Sequence, residues 1–339
     1  MRLLLTGGSG SVGKSVVDRL VKMGHSVRVI GRRTDMVIEG AEYISCDINN
    51  YLQLREVIRG CDAVVHLAAI PNPTGGSPEE LFRVNCQGTF NVFQAATEEG
   101  IKRVIQASSI NATGQFYGVK PAPLNYLPMD EDHPTFPTDA YSFSKNIIEE
   151  IGEYFWQREG ISSLAYRLPF VAPMTYHDIA KQNAARIQAL VNNLLKRSEE
   201  ERLAWFTGLW EEYNQFRATR PYEGPPGSAR QVINTLPDEK RIGMSAMWSR
   251  VNFFTHLDER DSAQAIDKGL EASFTGCHTL FINDSQNWTG VDSKVLADIF
   301  YPDVKSFKKE LIGTESLVSI DRARALIGFE PEYSYGEVR

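Results

Sequence analysis

The chain lacks a long apolar run. No hydrophobic stretch approaches the ~18 residues that a bilayer-spanning helix needs, so no membrane partner is expected. Cysteine is scarce: Cys46, Cys61, Cys86 and Cys277 are the four present, and none forms a C-x-x-C pair. They read as reduced, mostly buried thiols of a cytoplasmic protein. Excess positive charge is absent as well. A net charge of −7 argues against nucleic acid or an anionic membrane surface as a partner. The N-terminus passes straight into an apolar run, so no signal peptide is expected. No partner cluster surrounds His256, and no metal is expected. Asn111, Asn283 and Asn287 stand in glycosylation-type tripeptides, which are chance matches without secretion. No repeat or low-complexity tract is visible, and 42% hydrophobic with 23% charged residues is the composition of a folded globular chain.

Glycine is present where it matters. Leu3, Leu4 and Leu5 form a short apolar run that reads as a buried strand of a parallel sheet. Gly7, Gly10 and Gly13 follow at intervals of three. Then Val16, Val17, Leu20 and Val21 recur at helical spacing until Gly24. Strand, glycine turn and helix in that order form a dinucleotide-binding pattern. Gly7 permits the tight turn, Gly10 lets backbone approach a pyrophosphate, and Gly13 lets helix and strand pack closely. Ser11 and Val12 open the helix, whose N-terminus faces the phosphates. The bland alternative is a glycine-rich loop that binds nothing. The spacing is GxxGxxG, and at an N-terminus it resembles the short-chain dehydrogenase/reductase family in its extended, NAD(P)-dependent epimerase/dehydratase form.

Val27–Ile30 reads as the second strand and ends in Gly31, Arg32 and Arg33. No carboxylate stands where one would accept from the ribose 2′-hydroxyl, and an arginine there accommodates a 2′-phosphate. NADP is therefore favoured over NAD. Surface arginines without a ligand are the alternative. The resemblance implies further cofactor contacts at Asp47 and Ile48, beside the adenine, and at Leu67, Ala68 and Ala69, where small residues let the cofactor pass. It also implies a supporting role for Asn85, and contact between the nicotinamide carboxamide and the backbone at Pro169 and Val171. His66, within the strand Ala63–Leu67, reads as a packed strand histidine. Leu81–Glu99 reads as a buried helix carrying Asn85, whose polar side chain must find partners.

Tyr141 and Lys145 form a Tyr-x-x-x-Lys pair, which a helix places on one face. A neutral tyrosine with a pKa near ~10 is a poor base at neutral pH. A nearby ammonium is expected to lower it and suit it to acid–base work on a hydroxyl or ketone. The pair lies downstream of the glycine turn, follows a strand ending in Ser108 and Ser109, and opens an amphipathic helix. Together these features match the family's Ser-Tyr-Lys triad, with Ser109 the better match for the serine and Ser108 the alternative. Lys145 would also hold the nicotinamide ribose. A helix-surface pair with a strand-end cap is the structural alternative.

Some positions depart from the resemblance. Ile110-Asn111 stands where nucleotide-sugar dehydratases carry Asp-Glu, which argues against dehydration. Asn111-Ala112-Thr113-Gly114 replaces the usual Tyr-Gly pair, and Phe116-Tyr117-Gly118 comes later. Phe170-Val171-Ala172-Pro173 lacks the Asn of many nucleotide-sugar enzymes. Residues 114–137 read as a long loop over the site. Ile179–Phe216 reads as two amphipathic helices with Ser198–Arg202 between them, serving as packing, as a lid or as a self-association surface. Arg220–Gly227 reads as a loop, and Arg230, Trp248 and Arg250 stand near enough in sequence to be candidates for reaching substrate. His256-x-Asp258 reads as structural. Short helices are expected over 291–299 and 319–327, and FEPEYSYGE resembles the family's C-terminal end.

The fold expected is α/β: a Rossmann-like doubly wound parallel sheet with a smaller C-terminal substrate-binding region. The dinucleotide-binding part covers 1–175. Residues 176–339 form the substrate region with a helical insertion near 178–217, and segments near 252–285 return to the sheet. The activity expected is hydride transfer at a hydroxyl or carbonyl of a sugar or sugar-like small molecule. The alternatives are an NADPH-dependent ketone or aldehyde reductase, an alcohol dehydrogenase, and a dinucleotide-binding sensor without turnover. A homodimer is the family's habit.

Overall fold

The computed structural model describes residues 1–225, 227–334 and 337–338. Pro226 of the loop after Arg220, and Tyr335 and Gly336 of the terminal segment, lie outside the described residues. β1 (Arg2–Thr6) buries Leu3, Leu4 and Leu5 completely and hands over through the glycine turn to α1 (Ser11–Lys22). β2 (Ser26–Gly31), β3 (Glu42–Ser45), α2 (Tyr51–Ile58) and β4 (Ala63–His66) follow. Next come α3 (Pro78–Phe82) and α4 (Gly88–Glu98), joined by a π-helical turn over Arg83–Gln87. The single helix expected over 81–99 is thus interrupted by a widened turn, and that turn carries Asn85. β5 (Arg103–Ser109), α5 (Ala140–Glu159), β6 (Ser162–Leu168) and β7 (Val171–Ala172) complete the first half.

The second half runs through α6 (His177–Leu194), α7 (Glu199–Ala218), α8 (Ser228–Asn234) and α9 (Asp238–Val251). It returns through β8 (Leu257–Asp258), α10 (Glu259–Glu271) and β9 (Cys277–Phe281), then α11 (Ser293–Phe300) and α12 (Asp321–Ile327). Two helices stand over 179–216 as expected, but the break falls at residues 195–198 instead of 198–202. Ser198 caps α7 through a reciprocal pair with Glu201, so the acidic run forms the first turn, where it complements the helix dipole. Among the described residues, no helix is long and apolar enough to cross a membrane.

Seven strands form one parallel sheet in the order β3-β2-β1-β4-β5-β6-β9. The chain winds outward from β1 in one direction, then restarts at β4 and winds in the other. A crevice opens at such a reversal, beyond the C-terminal ends of the strands. Successive side chains of a strand point to opposite faces. Leu3, Leu5, Val29 and Val65 therefore pack with α1, α10 and α12 on one face. Leu4, Ile30, Val64 and Val104 pack with α2, α4 and α5 on the other. A third cluster joins Ile187, Val191, Phe206, Tyr213, Met247 and Phe300 with Phe116, Leu127 and Met129 of the loop after β5. That loop is tied down by main-chain bonds. Leu127 N–H donates to the Ser306 carbonyl at 3.1 Å, and Met129 N–H to the Leu317 carbonyl at 2.9 Å.

The crevice floor is fixed by a buried polar chain. The Ala68 N–H donates to Thr6 Oγ1 at 3.0 Å, and Thr6 Oγ1 meets His66 Nδ1 at 2.7 Å. His66 Nε2 meets Thr89 Oγ1 at 3.0 Å, and Thr89 donates to the Asn85 carbonyl at 2.5 Å. Thr89 has spent its proton on Asn85, so it accepts from His66 Nε2–H. Nδ1 then accepts from Thr6, and a neutral imidazole satisfies every member. Burial, reinforced by the charge of Lys145, pushes His66 down to about 3.

Two outcomes follow. An unfolded chain binds a proton at His66 below about pH 6.5 that the folded chain refuses until about pH 3, so stability falls as pH falls through that window, by on the order of 5 kcal/mol in all. Urea midpoints compared between about pH 7 and about pH 4 should drop less in His66→Gln than in the parent chain. Gly13→Ala places a Cβ 2.4 Å from the Gly7 carbonyl oxygen and 2.6 Å from Gly8 Cα, both backbone atoms. It should cost about 1–3 kcal/mol, read as a lower denaturant midpoint at unchanged m-value.

Candidate active site

The helix bearing the Tyr-x-x-x-Lys pair begins at a cap. Asp139 Oδ1 accepts from the Ser142 N–H at 2.8 Å, which sets the first turn of α5. Tyr141 and Lys145 then project from one face toward the end of β5. Both are buried, at 5% and 3% exposure. Lys145 Nζ donates to the Ala107 carbonyl at 2.7 Å and lies 5.9 Å from the Tyr141 ring centre. Ser109, the last residue of β5, accepts from the Asn111 N–H at 3.1 Å and from Asn111 Nδ2 at 3.3 Å. Its hydroxyl proton is left for Tyr141.

Charge behaves differently from the expectation at the phenol. Burial pushes Tyr141 up to about 12; the hydrogen bond from Ser109 pulls the other way, and the Asp139 carboxylate adds to the rise. Burial pushes Lys145 down to about 8. The expected lowering of the tyrosine by its lysine is therefore not what the packed residues produce. The cost of burying a phenolate outweighs the hydrogen bond from Ser109.

The two serines are told apart by geometry. Ser108 Oγ donates to Glu149 Oε1 at 2.6 Å, and Glu149 is gripped by Arg167 at 3.0 and 2.8 Å. Ser108 thus belongs to a buried ion-pair network behind the helix, while Ser109 faces Tyr141.

The residues named as cofactor contacts all gather at the same edge of the sheet. Gly7 follows β1, with φ +76°, and a Cβ there would sit 2.7 Å from the Ala68 nitrogen. Only glycine lets the turn pass the strand-end segment Leu67-Ala68-Ala69. Gly10 is the N-cap of α1, with no capping side chain, and no acidic residue stands in the first turn. The first-turn N–H groups of Ser11, Val12 and Gly13 therefore have no side-chain partner there, the condition for receiving an anion. Arg32 and Arg33 are exposed, directly beyond β2. Asp47 accepts from the Asn49 backbone at 2.9 Å, and Ile48 lies buried against Gly88, where an added Cβ would meet it at 2.5 Å.

Asn85 is fully engaged. Its Oδ1 accepts from the Ile70 N–H at 2.8 Å, and its Nδ2 donates to the Ile70 carbonyl at 3.1 Å and to Ser144 Oγ at 3.0 Å. It latches the loop after β4 to the helix of Tyr141. Pro169 is buried after β6, and Val171 pairs with Leu257.

Of the further residues that the sequence singled out, some meet this site and some do not. Tyr117 packs edge-on to Tyr141, with ring centres 5.6 Å apart, and meets Tyr222 at 5.2 Å. Trp248 joins this group through Phe116 and Tyr222. Arg250 does not, because it is bound to Asp303 and the Phe300 carbonyl. Arg230 is exposed on α8. Away from the crevice, His25, Asp267 and Glu271 approach one another at the contact of α1 with α10, where Arg19 already bonds Asp267. His256 lies buried 3.6 Å from Asp284.

Comparison with known proteins bears on the family and the fold. The chain is 34% identical over 244 residues to the L-arabinose 1-dehydrogenase (NAD(P)(+)) of Haloferax volcanii, a match covering 70% of this chain and 84% of that one. It is 30% identical over 169 residues to the uronate dehydrogenase of Pseudomonas putida, covering 49% of this chain and 60% of the relative. A solved UDP-glucose 4-epimerase from Thermotoga maritima superimposes with a TM-score of 0.61 at 18% identity, over 100% of this chain and 96% of that one. MoeE5 in complex with UDP-glucuronic acid and NAD gives 0.60 at 18% identity, with the same coverage. At such identities these two structures speak for the fold. Residues 3–210 match the NAD dependent epimerase/dehydratase family, and the chain belongs to it.

Proposed function

We propose that this chain is an NAD(P)-dependent oxidoreductase acting on a hydroxyl or carbonyl of a sugar or sugar-like molecule, with Ser109, Tyr141 and Lys145 as the acting groups. The observation that carries the reading is the buried meeting of Ser109 with Tyr141 at the same strand-end edge as the uncapped N-terminus of α1. The dehydrogenases of sugars among its relatives support it.

A nicotinamide dinucleotide, when bound, accepts the hydride from the carbon that bears the reacting hydroxyl. Ser11, Val12 and Gly13 would offer backbone N–H groups to its phosphates, and Gly7 and Gly10 leave the backbone bare for it. Arg32 or Arg33 would meet a 2′-phosphate, with Asp47 and Ile48 at the adenine. Leu67, Ala68, Ala69, Pro169 and Val171 would border the path to the nicotinamide, and Asn85 holds that border in place.

The proton is the chain's own task. In oxidation it is the phenolate of Tyr141 that takes the substrate O–H proton as the C–H bond yields its electron pair, leaving a carbonyl; the neutral phenol, which burial favours, is the form that serves reduction. In the reverse direction Tyr141 returns the proton to the carbonyl oxygen. Ser109 orients that oxygen by hydrogen bond. Lys145 brings an amine poised near about 8 to the phenol and to the ribose beside it.

Tyr141→Phe should lower kcat by about 10²–10⁴-fold while dinucleotide affinity, measured by fluorescence titration, changes little. Turnover unchanged by the substitution would remove Tyr141 from the chemistry, and no turnover in the parent chain with any sugar offered would favour a dinucleotide-binding sensor. Arg32→Glu should weaken NADPH binding by about tenfold or more and leave NADH nearly untouched. Equal losses for both dinucleotides would remove the 2′-phosphate role.

A further inference from the structure

Three side chains with metal-binding atoms meet away from the crevice, where α1 packs on α10. His25 lies just past the C-terminal end of α1, and Asp267 and Glu271 stand in the closing turns of α10. One ligand atom from each of the three lies within 4.8 Å of the other two. Asp267 and Glu271 are four residues apart, a spacing that puts both carboxylates on one helix face. The histidine and the carboxylates come from opposite ends of the chain, so no local ligand spacing announces the group.

Two of the atoms are buried and unsatisfied. The side chains of His25 and Asp267 are 9% and 3% exposed. His25 Nε2 and Asp267 Oδ1 face each other at 3.9 Å, too far for a hydrogen bond, and neither has a hydrogen-bond partner among the described residues. A buried polar atom left in that condition is costly. The far sides of both groups are held. Asp267 Oδ2 accepts from Arg19 Nε at 2.9 Å, which fixes the carboxylate and leaves Oδ1 turned to the imidazole. Nδ1 lies 3.4 Å from the Met1 nitrogen, so Nε2 is the ring atom that faces the gap. Fixing a ligand from its far side is how protein metal sites orient their donors.

The electrostatics point the same way. Like charges four apart on a helix repel, and a helix C-terminus carries partial negative charge. Asp267 and Glu271 meet both penalties at the end of α10, and the end of α1 lies alongside through Arg19 and His25. Arg19 offsets one carboxylate. Glu271 is exposed and forms no ion pair among the described residues. A nitrogen donor with two carboxylates suits zinc or a similar first-row ion, whereas magnesium and calcium take oxygen. Zinc bonds of about 2.0–2.2 Å place neighbouring ligand atoms of a tetrahedron about 3.4 Å apart, so the buried pair would close by only about 0.5 Å.

We propose that His25, Asp267 and Glu271 bind a zinc-class divalent ion that clamps α1 to α10. The two buried atoms and the Glu271 carboxylate supply three ligands, and water supplies the fourth. The clamp sits at the end of α1 remote from the glycine turn. It therefore braces the helix whose other end is the uncapped N-terminus at the crevice, and it acts on stability and not on the chemistry at Tyr141.

The test strips the full chain with a chelator and titrates it with ZnCl2, by calorimetry and by thermal unfolding. The parent chain should bind one equivalent at neutral pH and unfold at a higher Tm, and MgCl2 at the same concentration should do neither. Glu271→Gln and His25→Gln should each weaken binding by about tenfold or more and lose most of the gain in Tm. No response to zinc in the parent chain would mean a His25–Asp267 ion pair only, and would overturn the proposal. Zinc held as tightly by both variants, which would place the ion on other side chains, overturns it too, as does an equal response to magnesium. Should His25→Gln not fold, Glu271→Gln, at an exposed position, decides alone.

Discussion

The contact on which the rest depends is backbone against backbone. α1 crosses the glycine turn so closely that a methyl group at position 13 would stand 2.4 Å from the Gly7 carbonyl oxygen. No side chain can be interposed, so the helix axis, the turn and the first strand are locked as one piece. That piece sits where the strand order reverses, between β1 and β4. Every strand that ends near it delivers its following loop to the same edge, which is why residues as distant in sequence as Arg32, Ala68, Ser109 and Pro169 come to one edge of the sheet.

Burial, rather than pairing, governs the ionisable groups around that edge. Tyr141 is pushed up, Lys145 down and His66 far down, each first by loss of water and only then by a neighbour. The outcome is a neutral phenol and a neutral imidazole inside a dry wall, beside a lysine that holds its charge less firmly than in water. Such groups respond strongly to any charge brought among them, because little solvent screens it. The neutral His66 also completes a chain of hydrogen bonds from Thr6 to Asn85, so the floor of the crevice stays rigid while its charge stays low.

Much of this was legible in the sequence because it depends on local patterns. Leu3–Leu5 followed by Gly7, Gly10 and Gly13 dictates strand, turn and helix, and Tyr141 with Lys145 dictates one helical face. The parallel sheet follows from strands alternating with helices. What the sequence hid was set by tertiary contact. The spacing of Tyr141 and Lys145 carries no information about how much water surrounds them, so the direction of the phenol's shift was misread. The π-helical turn at Asn85 has no periodic signature. Tyr117 and Arg217 are about one hundred residues apart, and nothing local announces that one helix would reach across to hold the other's loop. Ser198 shows the opposite failing: a legible cap signal, Ser followed by Glu three residues on, lay inside what was read as a connector.

The loop from Gly114 to Pro137 is stapled along its far side. Leu127 and Met129 bond to residues 306 and 317, and Arg217 holds its near end. Such a segment is a fixed ceiling and has little freedom to act as a flap. α7 is tied to the same loop through Arg217, so any breathing that admits a molecule to Tyr141 must come from the chain after α7, through α9, which carries Tyr222 and Trp248. On the function proposed above, admission of a substrate and the proton transfer at Tyr141 would then be housed in separate stretches of chain.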